Sequence, residues 1–140
     1  MSRTYSDPTY GSKKQMPLAG EAIALNGTVT STTDLARVTV MQPITVSDAN
    51  VSILVAGTAV DTNLLIGKSL AGTGAFAALG TITLTGTQTA DSVIDATVTA
   101  TSFSTGDDII VARAAGTETE TAILVKPYVQ YKETFVESDS

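Results

Sequence analysis

Apolar residues recur at every second position over several short stretches of this chain. In the segment from Ser92 to Ala100, Ile94, Ala96, Val98 and Ala100 alternate with Asp95, Thr97 and Thr99. That period of two predicts a half-buried β-strand. Val51, Ile53 and Val55 alternate in the same way, and Ile82 and Leu84 do so between Thr81, Thr83 and Thr85. Ile23, Leu25 and Val29 share one phase, as do Val38 and Val40, and Leu64 to Ile66 form a short apolar run. From Ala122 to Lys132, Ile123, Val125, Val129 and Tyr131 share one side, with Lys126, Gln130 and Lys132 opposite. Pro127 has no N–H to give to a ladder, which predicts a sheet edge or a bulge there. Ile109 to Ala112 are apolar on both faces. That strand is either central or closed on its second face by another subunit, which makes Ile110 and Ala112 candidate interface residues.

Turn chemistry separates these runs. Ser104 to Asp108 contains Gly106, free to take positive φ, and two aspartates able to accept nearby backbone N–H groups. Asn26-Gly27 carries a hairpin signal, and Ser47 to Asn50 reads as a turn. The segment Ala71 to Ala75 reads as a loop. About eight short strands with no helical period predict an all-β fold, an antiparallel β-sandwich or jelly roll with an extended N-terminal arm. Its expected core includes Ile82, Leu84, Ile94, Val98, Ile123 and Val125. The organisation read from the sequence is an arm over residues 1–20, a β-sandwich domain over residues 21–132 and an acidic tail over residues 133–140. Spacings of the Thr-x-Thr elements do not match one another, which argues against a solenoid.

Composition narrows the chemistry. Hydrophobic residues make up 43% of the 140 and aromatic residues 5%, with no Trp, so the core is built from Val, Ile, Leu and Ala. There is no Cys, hence no disulfide or thiolate site, and no His, the usual general base and commonest metal ligand. The net charge is −6, and the isoelectric point is about 4.3. Such a balance argues against nucleic-acid binding, which needs clustered cations. No run is long and apolar enough for a membrane span. Arg3, Lys13 and Lys14 against Asp7 leave the first twenty residues at +2, so the remainder carries −8. One reading of the arm is an ordinary disordered terminus. The other is a segment that orders on contact, with Tyr5 and Tyr10 as anchors and Arg3, Lys13 and Lys14 meeting an acidic partner surface. Little of the core pattern lies before Glu21, so removing the arm is expected to leave the body folded.

Candidate chemical motifs weaken when set in context. Gly67-Lys68-Ser69 ends like a phosphate-binding loop, but Thr62 stands where that loop needs a glycine and Leu64 to Ile66 fill its exposed part. Gly72, Gly74 and Ala77 have dinucleotide-fingerprint spacing without a helix to follow. Lys68 and Ser69 are neighbours, and neighbours on a strand face opposite ways, which argues against Ser/Lys catalysis. For Asp107-Asp108 turn formation outweighs calcium binding. Asn26 and Asn50 head glycosylation sequons, which matter only in a secretory compartment. No catalytic residue, cofactor, metal or small-molecule substrate is read from the sequence.

The stretches ATSFSTGDDIIVARAAG, TAILVKPYVQYKETF and LAGTGAFAALGTITLTG resemble small bacteriophage virion proteins, the nearest group being the capsid decoration, or cement, proteins. The resemblance covers about residues 21 to 135 and lies in composition and strand layout. It implies a non-catalytic structural protein on the outer capsid surface, made in the host cytoplasm. It further implies a homotrimer bound across neighbouring subunits of the major capsid protein, with a terminal arm gripping them. The alternative is the receptor-binding or adhesin head of a trimeric phage fibre, whose function would lie in its loops.

Overall fold

The computed structural model describes residues 13–29, 31–55, 62–71, 76–84 and 89–133, with backbone only at 26–29, 62, 97 and 116–123. Among these residues there are nine strands and no helix. They are β1 (Lys14–Pro17), β2 (Ile23–Val29), β3 (Thr33–Thr39), β4 (Ile44–Val55), β5 (Thr62–Ser69), β6 (Phe76–Leu84), β7 (Val93–Phe103), β8 (Asp108–Arg113) and β9 (Gly116–Glu133). One sheet has the order β1-β9-β4-β7, with β2 following β1 along the same edge of β9. The other has the order β3-β8-β5-β6. Every pairing is antiparallel. The pairs β2/β9, β3/β8, β4/β7 and β5/β6 are those of one long hairpin with β5/β6 at its tip. Rolled so that alternate pairs fall in opposite sheets, that hairpin is a jelly roll.

Side chains from both sheets meet in one core. Val46, Val51, Ile53, Leu64, Ile66, Ile109, Val111, Val125 and Val129 are wholly buried, and Phe103 is its largest member. Of the six core residues expected from pattern, Ile82, Leu84, Val98 and Val125 lie in it, and Ile94 packs against it half-buried. The side chain of Ile123 lies outside the described residues.

Several sequence expectations are corrected by strand continuity. Ser47 to Asn50 is no turn: β4 runs through it, with register shifts against both β7 and β9 between Val46 and Asp48. Ile44 and Val46 point inward before the shift, and Ala49, Val51 and Ile53 after it. A bulge inverts the phase without ending the strand, and in sequence this looks like a break. Asn26-Gly27 likewise sits at irregularities inside β2. Pro127 is in β9, which is central. Its carbonyl accepts from Leu18 N at 2.9 Å. A strand residue's N–H and C=O point to the same side, so the missing N–H faces Leu18, past the last β1 pair and short of the first β2 pair.

Both faces of β8 are closed within a single chain. Ile109 and Val111 enter the core, while Ile110 and Ala112 point the other way and are still 0% exposed. In register Ile110 lies between Arg37 and Gly67. The Phe76 ring lies so close over Gly67 that a Cβ there would overlap it. Ile110 and Ala112 therefore offer no surface to a second subunit, which corrects their reading as interface residues. The glycine of the Gly67-Lys68-Ser69 triplet serves this close packing.

The arm also needs correction. Lys14 to Pro17 pair with Tyr131 to Tyr128, and Leu18 is 1% exposed in the core. The body thus begins before residue 20.

Candidate functional site

The turns β3–β4, β5–β6 and β7–β8, the start of β1 and the end of β9 gather at one end of the sandwich. Ile44, the first residue of β4, is opposite both Phe103 and Glu133, and Lys14 is opposite Tyr131. This end is stapled by Asp107, whose residue is 5% exposed. Its Oδ1 accepts from Ala71 N at 3.1 Å and its Oδ2 from Ser104 N at 2.9 Å. Its carbonyl accepts from Val40 N at 2.8 Å, and Gly106 N donates to Val40 O at 2.8 Å. Gly106 makes this exchange at φ 96°, the positive value expected of it. One carboxylate and its own backbone thus fasten all three turns together.

Lys68 completes the staple. Its Nζ donates to Ser102 O at 2.7 Å, stands 3.6 Å from Asp107 Oδ2 and lies 5.1 Å from the centre of the Phe103 ring. The Ser104 and Ala71 N–H groups, helped by Lys68, hold the Asp107 carboxyl below the usual carboxylate range. Ser69 turns away from Lys68, its Oγ buried without a hydrogen-bond partner, so the two do not form a nucleophile–base pair. Asp108 accepts from Thr39 Oγ1 at 2.7 Å and Arg37 Nη1 at 2.6 Å, and these keep its carboxyl low as well. Both aspartates have loop and cross-strand roles. Among the described residues no group of three or more His, Cys, Asp or Glu is placed to hold a metal.

On this rigid frame apolar residues stand in the open. Met41 is 78% exposed and Leu70 54% exposed, on the β3–β4 and β5–β6 turns. Met41 borders a hollow of about 220 Å³ shared with Met16, Val40, Ile44 and Tyr131. Lys13 and Lys14, read from sequence as partner contacts, stand beside it. Lys14 Nζ donates to Glu133 Oε1 at 2.7 Å, which lowers the Glu133 carboxyl, and Lys13 Nζ is 3.5 Å from Asp48 Oδ2. These two lysines are thus engaged with the body's own carboxylates. Arg3, Tyr5 and Tyr10 lie outside the described residues.

Sequence reasoning missed Met41 and Leu70. A single apolar residue in a turn carries no periodic signal, and only the gathering of turns at one end gives it company. Comparison of the chain with protein-family models, with curated proteins and with solved structures found no match in any of the three.

Proposed function

We propose that this chain is a structural virion protein that decorates a phage capsid, binding across neighbouring subunits of the major capsid protein and performing no catalysis. The observation that carries this reading is the convergence, at one stapled end, of exposed Met41 and Leu70, the apolar hollow and the point where residues 1–12 join β1. Pre-ordered turns lose little entropy on docking, so apolar contacts made there translate into affinity. On this reading residues 1–12 contact a second subunit while the turns hold the first, and two linked contacts bind more tightly than either alone. The ion pairs of Lys14 with Glu133 and Lys13 with Asp48 fix the point at which residues 1–12 join the body.

A homotrimer belongs to the same reading, but not through β8. Leu54, Val55 and Val93, each over 40% exposed on β4 and the start of β7, are the apolar surface available for contacts between copies.

The test uses capsids lacking this protein. Saturable binding is expected for the full chain, with marked weakening in Met41→Asp with Leu70→Asp and in a chain lacking residues 1–12. Binding by both variants at the parent concentration would remove the stapled end as the attachment site. Failure of the parent itself to bind would remove the capsid reading.

A further inference from the structure

The outer face of the β1-β9-β4-β7 sheet carries a feature separate from the docking end. Since Ala49 and Val51 face the core, Asp48 and Asn50 face outward. In register Asn50 is opposite Asp95 on β7 and Tyr128 on β9, and Asp48 is opposite Gln130. Asp48, Asn50, Asp95 and Gln130 line a shallow cleft of about 260 Å³ over Ala49 and Ala96. The β4 bulge builds it, because the phase inversion puts Asp48 and Asn50 together on this face.

Asn50 is only 7% exposed, yet its carboxamide makes no hydrogen bond to any described residue. Its polar atoms are met by whatever occupies the cleft, so a ligand there competes only with water for them. Around it the two carboxylates only accept, while the Asn50 and Gln130 amides both donate and accept. A hydroxyl that donates to a carboxylate and accepts from an amide satisfies one group of each kind. Adjacent hydroxyls on one ring do so for two such pairs at once.

Other ligand classes fit less well. Anions meet Asp48 and Asp95 on a chain of net charge −6. Calcium takes roughly six to eight oxygens, and only two carboxylates line the cleft, one of them already 3.5 Å from the Lys13 ammonium. The volume falls below the roughly 300–1,000 Å³ of sites for drug-sized ligands, which fits one ring. Tyr128, half-buried, is opposite Asn50 in register, and Lys126 Nζ lies 5.9 Å from its ring centre.

We propose that this cleft binds a single neutral sugar ring through adjacent hydroxyls, with Asn50 at its centre and Asp48, Asp95 and Gln130 around it. The site does not depend on capsid attachment, and it lies on a sheet face that docking by the stapled end leaves open.

Amide-detected NMR on the full chain tests it, with titrations of the methyl glycosides of glucose, mannose and galactose and, separately, calcium chloride. One ring with few contacts is expected to bind with Kd on the order of 1 mM. At least one glycoside is expected to shift the Asn50 and Gln130 side-chain amides together with the Asp95 backbone. Asp95→Asn, which keeps shape and folding, is expected to weaken that binding about tenfold or more, because a site built on hydrogen bonds discriminates strongly. Asn50→Ala is expected to abolish it while the melting curve stays cooperative. Absence of shifts with all three glycosides overturns the proposal. So do shifts produced by calcium alone, or glycoside binding that Asp95→Asn leaves unchanged.

Discussion

Replacing Leu18 by alanine separates a core residue from a tail residue. Leu18 follows β1, is 1% exposed, and is anchored by its N–H to Pro127 O at 2.9 Å. Its side chain fills the core beside the interval between β1 and β2. Loss of a buried leucine side chain costs the transfer energy of the missing carbons plus a term for the cavity, together about 2–5 kcal/mol. In a domain of this size each kcal/mol moves Tm by about 3 °C, so Leu18→Ala should melt roughly 6–15 °C below the parent. Deleting residues 1–12 leaves β1 and Leu18 in place and should melt with the parent. Deleting residues 1–20 should cost at least as much as Leu18→Ala, against the expectation drawn from the sequence. Calorimetry on the four proteins reads this directly. If Leu18→Ala melted within about 2 °C of the parent, Leu18 would not be a core residue and the boundary at residue 20 would stand.

Two further outcomes follow from the packing and the staple. Gly67→Ala should destabilise by about 1–3 kcal/mol, because the added methyl meets the Phe76 ring and the Ala77 carbonyl, and Phe76→Ala in the same chain should remove part of that cost; equal losses in both backgrounds would contradict the contact. Asp107 has its carboxyl pKa depressed by the Ser104 and Ala71 N–H groups, so its stabilisation is complete above about pH 4 and is lost as pH falls through the folded-state value. Asp107→Asn should therefore melt below the parent at neutral pH, with the gap narrowing on acidification; a gap constant down to low pH would contradict the assignment.

The parts legible in the sequence are those where one local rule acts alone. Ile82, Leu84 and Val98 alternate with threonines and lie where the period of two puts them. Gly106 takes the positive φ that turn chemistry asks of it. Reading failed where two rules met. In β4 the polar residues at a bulge resembled a turn, hiding the strand and with it the cleft lined by Asp48 and Asn50. In β8 apolar residues on both faces allow a central strand or a second subunit, and the structure takes the first: β8 lies between β3 and β5. A cover of Phe76 over Gly67, remote from Ile110 in sequence, leaves no such signal. The Asp107 staple was legible only as turn chemistry, because Val40 and Ala71 are brought to it by the fold.

The central place of β9 bears on how the chain is made. β1, β2 and β4 all pair with this last strand. During synthesis from the N-terminus, Leu18, Leu25 and Ile53 therefore emerge long before the residues that complete their sheet. Contacts so distant along the chain make folding slow, since loops must close before pairing repays them. Until Val125 and Val129 leave the ribosome, most of one sheet is a set of unpaired edges, the state in which β-proteins aggregate. The last stretch of the chain thus sets when the first becomes native. A nascent chain halted before β9 should remain open to proteases over β1 and β2, whose pairing is with β9.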